Sequence, residues 1–257
     1  MTQDRGPLVE VAPGYRTVLS DDGDGPALVL LHGTPFDARA WDPVVEALSG
    51  HVRAVRYDLR AHGVARDVPV TDYRVLAGDV VAILDMLGIP DAHVVGHSWG
   101  GQVAQQTALD HPGRVNRLTL ACTRAGPFPA FAPVVHGLRH GTIARESSLG
   151  RWFTPEELAH PDAVVDAARR WLRAAALPRW ADALEMISTF DVLARLDQIV
   201  VPTDVVAAQH DGVADVAHMA SMADAVPGSR FEVLDGARHL APLQRAAELA
   251  DILRTPR

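Results

Sequence analysis

Lysine is absent from this sequence, and all 24 of its basic residues are arginines. Because a lysine amine forms Schiff bases, anchors pyridoxal phosphate and completes the Walker A phosphate loop, its absence excludes those three chemistries. Cysteine occurs once, as Cys122, so no intrachain disulfide can form and a cytoplasmic location is expected. Neither an HExxH pair nor a cysteine cluster is present, so we predict no metal and no other cofactor.

Long apolar runs are also missing. Residues 1–16 contain no apolar stretch of signal-peptide length, and no later apolar run is long enough to span a bilayer, so no membrane association is expected.

A net charge of −8 argues against nucleic-acid binding, which needs a clustered basic surface. With 257 residues, 48% of them hydrophobic, the chain fits one sizeable α/β unit, as a monomer or a homodimer.

Strands and helices alternate through much of the sequence. Short apolar or β-branched runs predict strands, and apolar residues three and four positions apart predict helices. This alternation is typical of a mostly parallel sheet with helices on both faces. The predicted strands span residues 9–13, 15–20, 27–31, 52–57, 92–95, 118–122, 199–207 and 230–234, and the predicted helices span residues 41–48, 72–87, 102–109 and 241–253.

The alternation stops between residues 125 and 191. This segment begins with a proline and glycine cluster and continues as helical stretches that contain Trp152, Trp171 and Trp180. We interpret residues 125–191 as a helical lid, inserted after the strand that ends near Cys122, and residues 1–124 and 192–257 as the core. The alternative is that the segment only enlarges the core.

Residues 94–101, VVGHSWGG, contain a serine between spaced glycines. A strand ends at Gly96, Ser98 follows in a tight turn, and a helix begins at once. Gly-x-Ser-x-Gly in this context is the pattern of a nucleophile elbow, which exposes a serine hydroxyl above a parallel sheet. The alternative is a strand–helix connection in which Ser98 only caps the helix.

A nucleophilic serine needs an imidazole base, and the imidazole needs an acceptor for its second nitrogen. Asp211 and His239 each follow a predicted strand, and Ser, Asp, His is the chain order expected with such an elbow. Ligands bind at the carboxyl ends of strands in open α/β sheets, so we predict a Ser98–His239–Asp211 triad there. Asp215 and Asp235 remain alternatives for the acid.

Two backbone amides are predicted to hold the oxyanion of an acyl-transfer reaction. The N–H of Trp99 begins a helix, and the N–H of Thr34 precedes Pro35, which keeps Thr34 out of helical geometry. Substrate binding is predicted at His32, Arg151 and Trp152. The Arg151 guanidinium suits a carboxylate, although this residue could equally be a solvated residue at a helix start.

Several motifs resemble those of the α/β-hydrolase superfamily from about Val9 to the last helix. The layout is most similar to the 3-oxoadipate enol-lactonase and haloperoxidase-like esterase group. The resemblance implies an α/β-hydrolase fold and a serine hydrolase. The sequence departs from the usual family pattern at Ala61, Asp204, Ala208 and Arg238. The matching stretches are 31–35 (LHGTP), 41–43 (WDP), 56–63 (RYDLRAHG), 84–89 (LDMLGI), 96–101 (GHSWGG), 151–156 (RWFTPE), 201–203 (VPT) leading to Asp211, and 236–239 (GARH).

The expected function is therefore hydrolysis of a small-molecule ester or lactone through an acyl-enzyme, with water as co-substrate. Some members of the superfamily that this sequence resembles carry an aspartate nucleophile at the position of Ser98. The serine here favours acyl transfer over alkyl displacement. Other functions remain open: carbon–carbon or thioester cleavage by the same triad, a ligand-binding receptor with little turnover, or a cofactor-free oxygenase or cyclase.

Overall fold

The computed structural model describes residues 6–48 and 50–256. Within these residues, eight strands form one sheet in the order β1-β2-β4-β3-β5-β6-β7-β8. The β1–β2 and β2–β4 pairs are antiparallel, and all other neighbours are parallel, which confirms the predicted mostly parallel sheet. The strands are β1 (Leu8–Ala12), β2 (Tyr15–Asp22), β3 (Ala27–Leu31), β4 (Arg53–Tyr57), β5 (Ala92–His97), β6 (Val115–Ala121), β7 (Thr203–Ala208) and β8 (Arg230–Leu234).

Helices cover both faces of this sheet. The α-helices are α1 (Asp42–Leu48), α2 (Tyr73–Met86), α3 (Trp99–Asp110), α4 (Ala132–His140), α5 (Leu149–Trp152), α6 (Pro155–Ala159), α7 (Ala163–Ala174), α8 (Leu177–Thr189), α9 (Val216–Ala225), α10 (Ala241–Gln244) and α11 (Ala246–Arg254). Short 3-10 helices span Ala38–Trp41, Gly63–Ala65, Pro112–Arg114, Pro129–Phe131, Arg145–Ser148 and Leu193–Gln198.

The core consists of two apolar clusters, one on each side of the sheet. Val29 and Leu31 of β3 belong to the cluster that includes side chains of α2 and α3. Leu28 and Leu30 belong to the other, which includes side chains of α1 and α11. Because side chains alternate between the faces of a strand, a central strand must be apolar at every position. This requirement explains the uninterrupted apolar run of residues 27–31.

Two predicted elements differ most from the observed ones. The strand predicted at 199–207 begins only at Thr203, because residues 199–202 form an irregular connection between β7 and the 3-10 helix that ends at Gln198. The helix predicted at 241–253 is divided into α10 and α11 at Arg245, which has φ −137° and ψ 47°. The Arg245 guanidinium donates to the carbonyl oxygen of Asp235 and so contacts the loop after β8.

The segment predicted as a helical lid is helical. Every residue between β6 and β7 is described, and this part of the chain contains α4 to α8 and no strand. Helix α6 begins with a capping box, in which Thr154 and Glu157 each accept from the other's backbone N–H. Apolar side chains of this segment join the larger core cluster, among them Phe131, Trp152 and Leu184.

Asp204, a carboxylate in an otherwise apolar strand, is paired with two arginines. It lies in β7 with a fully buried side chain, and its carboxylate accepts from Arg117 at 2.6 Å and from Arg230 at 2.9 Å. Arg117 also donates to the carbonyl oxygens of Ile252 and Leu253 near the end of α11. The carboxylate therefore joins β6, β7, β8 and the last helix.

Replacing Asp204 with valine should lower the free energy of unfolding by about 3–5 kcal/mol, because it leaves arginines without their buried counter-charge. The loss is expected even though valine suits a buried strand. Urea unfolding monitored by circular dichroism measures it. A triple variant, D204V/R117M/R230M, should recover much of the loss, and a stable D204V single variant would show that the ion pairs contribute little.

Candidate active site

Ser98 lies in the turn between β5 and α3 with an unusual backbone conformation, φ 53° and ψ −117°. Side chains at the neighbouring glycines would collide with the surrounding backbone or side chains. A Cβ on Gly96 would come within 2.3 Å of the Gly100 carbonyl oxygen, and one on Gly101 within 2.5 Å of Thr123. The glycine pattern is thus a steric requirement of this turn, which exposes the Ser98 hydroxyl above the end of the sheet.

The structure brings Ser98, His239 and Asp211 together in a continuous line. Ser98 Oγ lies 2.9 Å from His239 Nε2. His239 Nδ1 donates to the Asp211 carboxylate, at 2.9 Å from Oδ2 and 3.1 Å from Oδ1. Asp215, an alternative acid in the sequence, instead caps α9 by accepting from the His218 N–H. The arrangement allows a proton to pass from the serine to the imidazole while the carboxylate fixes the tautomer.

Asp211 is held as a carboxylate by its surroundings. Burial alone would raise the pKa of this carboxyl, but the charge of His239 and hydrogen bonds from His239 and from two backbone amides lower it below its ordinary value. The amides belong to Val213 and Ala214 and lie 2.7 Å and 3.0 Å from Oδ1. The acid is therefore charged at neutral pH and is oriented by its own loop.

His97, next to the serine, holds the backbone of the proposed base. Its Nε2 donates to the carbonyl oxygen of His239 at 2.6 Å. Burial, followed by the charge of His239, lowers the pKa of His97 to about 3, so the ring is neutral. A Cβ on Gly33 would lie 2.7 Å from the other nitrogen of this ring, which explains the glycine at that position.

The Thr34 and Trp99 amides donate to no acceptor within the described residues. The Gly33 carbonyl oxygen accepts from the Phe36 N–H at 3.0 Å and from His32 Nδ1 at 2.9 Å. In a trans peptide the C=O and N–H point in opposite directions. The two hydrogen bonds that hold the Gly33 carbonyl oxygen therefore also fix the Thr34 N–H, which points away from Phe36 N and His32 Nδ1. Two free donors beside a nucleophile are what a developing oxyanion requires.

His32 does not line the cavity at Ser98, contrary to its prediction as a substrate-binding residue. Its side chain is fully buried, with Nδ1 donating to Gly33 and Nε2 accepting from the Leu59 N–H at 3.0 Å. Both ring nitrogens are thus occupied by the backbone. The residue supports the loop that carries Thr34.

A small cavity lies above Ser98. Its volume is about 20 Å³, enough for roughly one water molecule, so side chains must move to admit a larger compound. Arg151 and Trp152, both predicted from the sequence, line it. Trp180 also lines it and is one of the tryptophans named in the predicted lid. The sequence patterns did not identify the remaining side chains of the helical segment, although Leu184 and Ile187 follow Trp180 at the spacing of one helix face. The lining side chains from that segment are Phe131, Val134, Ser148, Arg151, Trp152, Trp180, Leu184 and Ile187.

A larger, open groove of about 550 Å³ lies beside α1 and the amino end of β4. Two of its carboxylates, Asp22 and Asp42, pair with Arg56. Neither Ser98 nor His239 lines it, so the smaller cavity is the candidate site.

Arg151 is the cationic side chain of the cavity wall. It makes no ion pair or hydrogen bond with another described residue, and its guanidinium lies 5.6 Å from the centre of the Phe131 ring. Burial lowers the pKa of this guanidinium from its ordinary value, without a carboxylate to offset the effect. A partly buried charge of this kind is suited to a negatively charged group in the cavity.

Arg238, a departure from the family pattern just before His239, contacts the helical segment. Its Nε lies 3.4 Å from a carboxylate oxygen of Glu157 in α6. This pair links the loop of the proposed base to the segment that covers the cavity.

Across the described residues, no group of three or more metal-ligating side chains is close enough to hold an ion, and none of the helices has both the length and the apolar character that a membrane span requires.

A model of the alpha/beta hydrolase family matches residues 28–252. The 3-oxoadipate enol-lactonase 2 of Acinetobacter baylyi is 29% identical over 242 residues, which cover 92% of this chain and 89% of that protein. The crystal structure of the enol-lactonase from Burkholderia xenovorans LB400 has a TM-score of 0.89 at 28% identity and covers 96% of this chain and 98% of its own. A hydrolase from Pseudomonas aeruginosa PA01 has a TM-score of 0.88 at 31% identity, with 96% and 97% covered. The chain therefore belongs to the alpha/beta hydrolase family.

Proposed function

We propose that this chain is a serine hydrolase that cleaves a small-molecule carboxylic ester or lactone through Ser98, His239 and Asp211. Because a lactone is a cyclic ester, the similarity to two enol-lactonases supports the coarser statement that the chain is a hydrolase acting on ester bonds. The observation that carries the finer proposal is the line of contacts from the serine hydroxyl through both imidazole nitrogens to a buried carboxylate.

The proposed reaction has two halves. Ser98 Oγ attacks the carbonyl carbon while His239 Nε2 takes its proton, and the resulting oxyanion accepts from the amides of Thr34 and Trp99. Collapse of this intermediate breaks the bond to the leaving oxygen, which receives the proton from His239. Water then attacks the acyl-enzyme with His239 as base, and the acid is released. Asp211 stabilises the imidazolium in both halves.

Residues 125–191 act as a lid in this proposal. The small volume of the cavity supports a lid that must open before substrate enters, since an ester or lactone is much larger than one water molecule. The Arg238–Glu157 contact is partly exposed, so it is weak enough to break in such a motion.

A fluorophosphonate probe should label the wild-type protein at Ser98, because such probes trap an activated serine hydroxyl. Steady-state rates on p-nitrophenyl esters, enol lactones, acyl thioesters and vinylogous diketones would then separate ester cleavage from thioester and carbon–carbon cleavage. Faster turnover of a diketone or a thioester than of every ester and lactone would overturn the proposed substrate class. An unlabelled protein that still turns over esters would overturn the mechanism.

Arg151→Met should raise the KM for an ester that carries a free carboxylate by about tenfold, equivalent to about 1.4 kcal/mol. The methyl ester of the same carboxylate should show little change, because it lacks the charge that the guanidinium binds. Arg139→Met serves as the control, since Arg139 lies in the same helical segment but not on the cavity wall, and it already pairs with Asp182 and Glu185. Equal KM changes for the charged and the neutral substrate would show that Arg151 only packs.

A further inference from the structure

His62 contacts both residues whose amides are proposed to hold the oxyanion. It lies in the loop after β4 and is buried. The Thr34 hydroxyl oxygen lies 2.7 Å from His62 Nε2. The imidazole also lies against the indole of Trp99, with ring centres 4.6 Å apart and planes inclined by 37°. One side chain therefore connects the loop after β3 with the start of α3.

The direction of these hydrogen bonds is fixed by their partners. His62 Nδ1 lies 2.9 Å from the Arg60 carbonyl oxygen, which can only accept, so Nδ1 carries the proton. Burial lowers the pKa of His62 to about 3, so the ring is neutral and Nε2 is an acceptor. The Thr34 hydroxyl must then donate to Nε2. It makes no other hydrogen bond within the part of the chain that the structure describes.

We infer that His62 is a positioning residue of the oxyanion hole, which fixes Thr34 through its hydroxyl and supports Trp99 through ring contact. The inference rests on the proposed function, because it assigns the Thr34 and Trp99 amides to the oxyanion. Thr34 lines the cavity, so a hydroxyl without an acceptor is free to rotate toward the reacting carbonyl. The neighbouring amide then no longer has one fixed direction, and a preorganised donor loses part of its effect.

Three variants separate the hydrogen bond from the packing. His62→Phe keeps a ring against Trp99 but removes both nitrogens. Thr34→Val keeps the backbone amide and the branched shape but removes the hydroxyl. The double variant tests whether both changes act through one contact. His93→Phe is the matched control, because His93 is also a buried histidine paired with a threonine, Thr119 at 2.8 Å, and lies at the other end of β5.

His62→Phe and Thr34→Val should each lower kcat for p-nitrophenyl acetate by about tenfold, with KM within twofold of the wild-type value. This loss is smaller than the ~10²–10³-fold cost of removing an oxyanion donor outright. The double variant should be no slower than the slower single variant. The infrared carbonyl stretch of the acyl-enzyme should move to higher frequency in both single variants, because the carbonyl accepts weaker hydrogen bonds. His93→Phe should change neither kcat nor that frequency.

Either of two results would overturn the inference: a kcat within twofold of wild type for His62→Phe, or losses in the double variant that multiply. If His62→Phe does not fold, full activity in Thr34→Val would by itself overturn the inference. Ser98→Ala, measured beside these variants, separates the two proposals. Continued turnover by Ser98→Ala would overturn the proposed function itself, whereas an inactive Ser98→Ala beside an unchanged His62→Phe would overturn only the role of His62.

Discussion

Ser98→Ala should lower kcat for ester hydrolysis by at least about 10⁴-fold, because the reaction loses its nucleophile and the acyl-enzyme can no longer form. Residual turnover would come from the oxyanion hole and from substrate binding alone. Because Ser98 has a positive φ, which alanine also tolerates poorly, the fold should change little between serine and alanine at this position. Stopped-flow or steady-state assays on p-nitrophenyl esters measure the loss, and thermal unfolding checks the fold.

Ser221→Ala is the matched control for this prediction, since Ser221 lies on the exposed surface of α9 and donates only to the Ala217 carbonyl oxygen. Its kcat should equal that of the wild-type protein. Hydrolysis by Ser98→Ala at more than a tenth of the wild-type rate would contradict the proposal that Ser98 is the nucleophile.

Asp211→Asn should lower kcat by about 10⁴-fold, nearly as much as loss of the serine. The Val213 and Ala214 amides both donate to Oδ1 of residue 211, so the asparagine oxygen takes that position and its amide nitrogen faces His239 Nδ1. Because the amide nitrogen donates, Nδ1 must become an acceptor. The imidazole proton would then sit on Nε2, which faces Ser98 Oγ at 2.9 Å and must be free to accept. The amide side chain also lacks the charge that stabilises the imidazolium. The effect is expected in kcat at every pH where the protein is folded.

Asp215→Asn distinguishes Asp211 from the alternative acid four residues further on. Asp215 accepts from the His218 N–H at the start of α9, and asparagine caps a helix about as well as aspartate. This variant should therefore keep both its stability and its kcat. A large loss of kcat in Asp215→Asn, with an active Asp211→Asn, would show that the acid is Asp215 and not Asp211.

Local sequence patterns were sufficient for the sheet and for the elbow. A strand buried on both faces must be apolar throughout, so residues 27–31 could be identified without tertiary information. The turn at Ser98 imposes glycine at Gly96, Gly100 and Gly101 by steric exclusion, and this requirement is visible in the sequence as a spaced motif. The helical nature of residues 125–191 was also evident from the loss of strand alternation.

Features that depend on distant contacts could not be predicted in this way. The sequence predicts His32 as a substrate-binding residue, but its ring is buried and its Nε2 accepts from the Leu59 N–H. Asp204 looked misplaced because its partner Arg117 is 87 residues earlier in the chain. The last helix is divided at Arg245, whose guanidinium donates to the Asp235 carbonyl oxygen in the loop after β8.

Ala61 shows how a departure from a family pattern is accommodated. The resemblance implies a glycine there, and the structure gives Ala61 a φ of 68°, in the left-handed region that favours glycine. Its N–H donates to the carbonyl oxygens of Ala65 and Val68, which hold the loop that also contains His62. The strained residue thus lies one position before the side chain that we propose positions the oxyanion hole.

The central claim is that an acyl group resides on Ser98 during turnover. Because the chain has no lysine, trypsin cuts only after arginine, and the fragment of residues 75–114 contains Ser98 as its only serine. Acid quenching during hydrolysis of a slowly deacylated ester, followed by mass spectrometry of that fragment, tests the claim directly. We predict a mass increase equal to the acyl group, located on Ser98 and absent from Ser98→Ala. An acyl group on a different residue, or rapid hydrolysis with no acylated fragment at any quench time, would contradict the account.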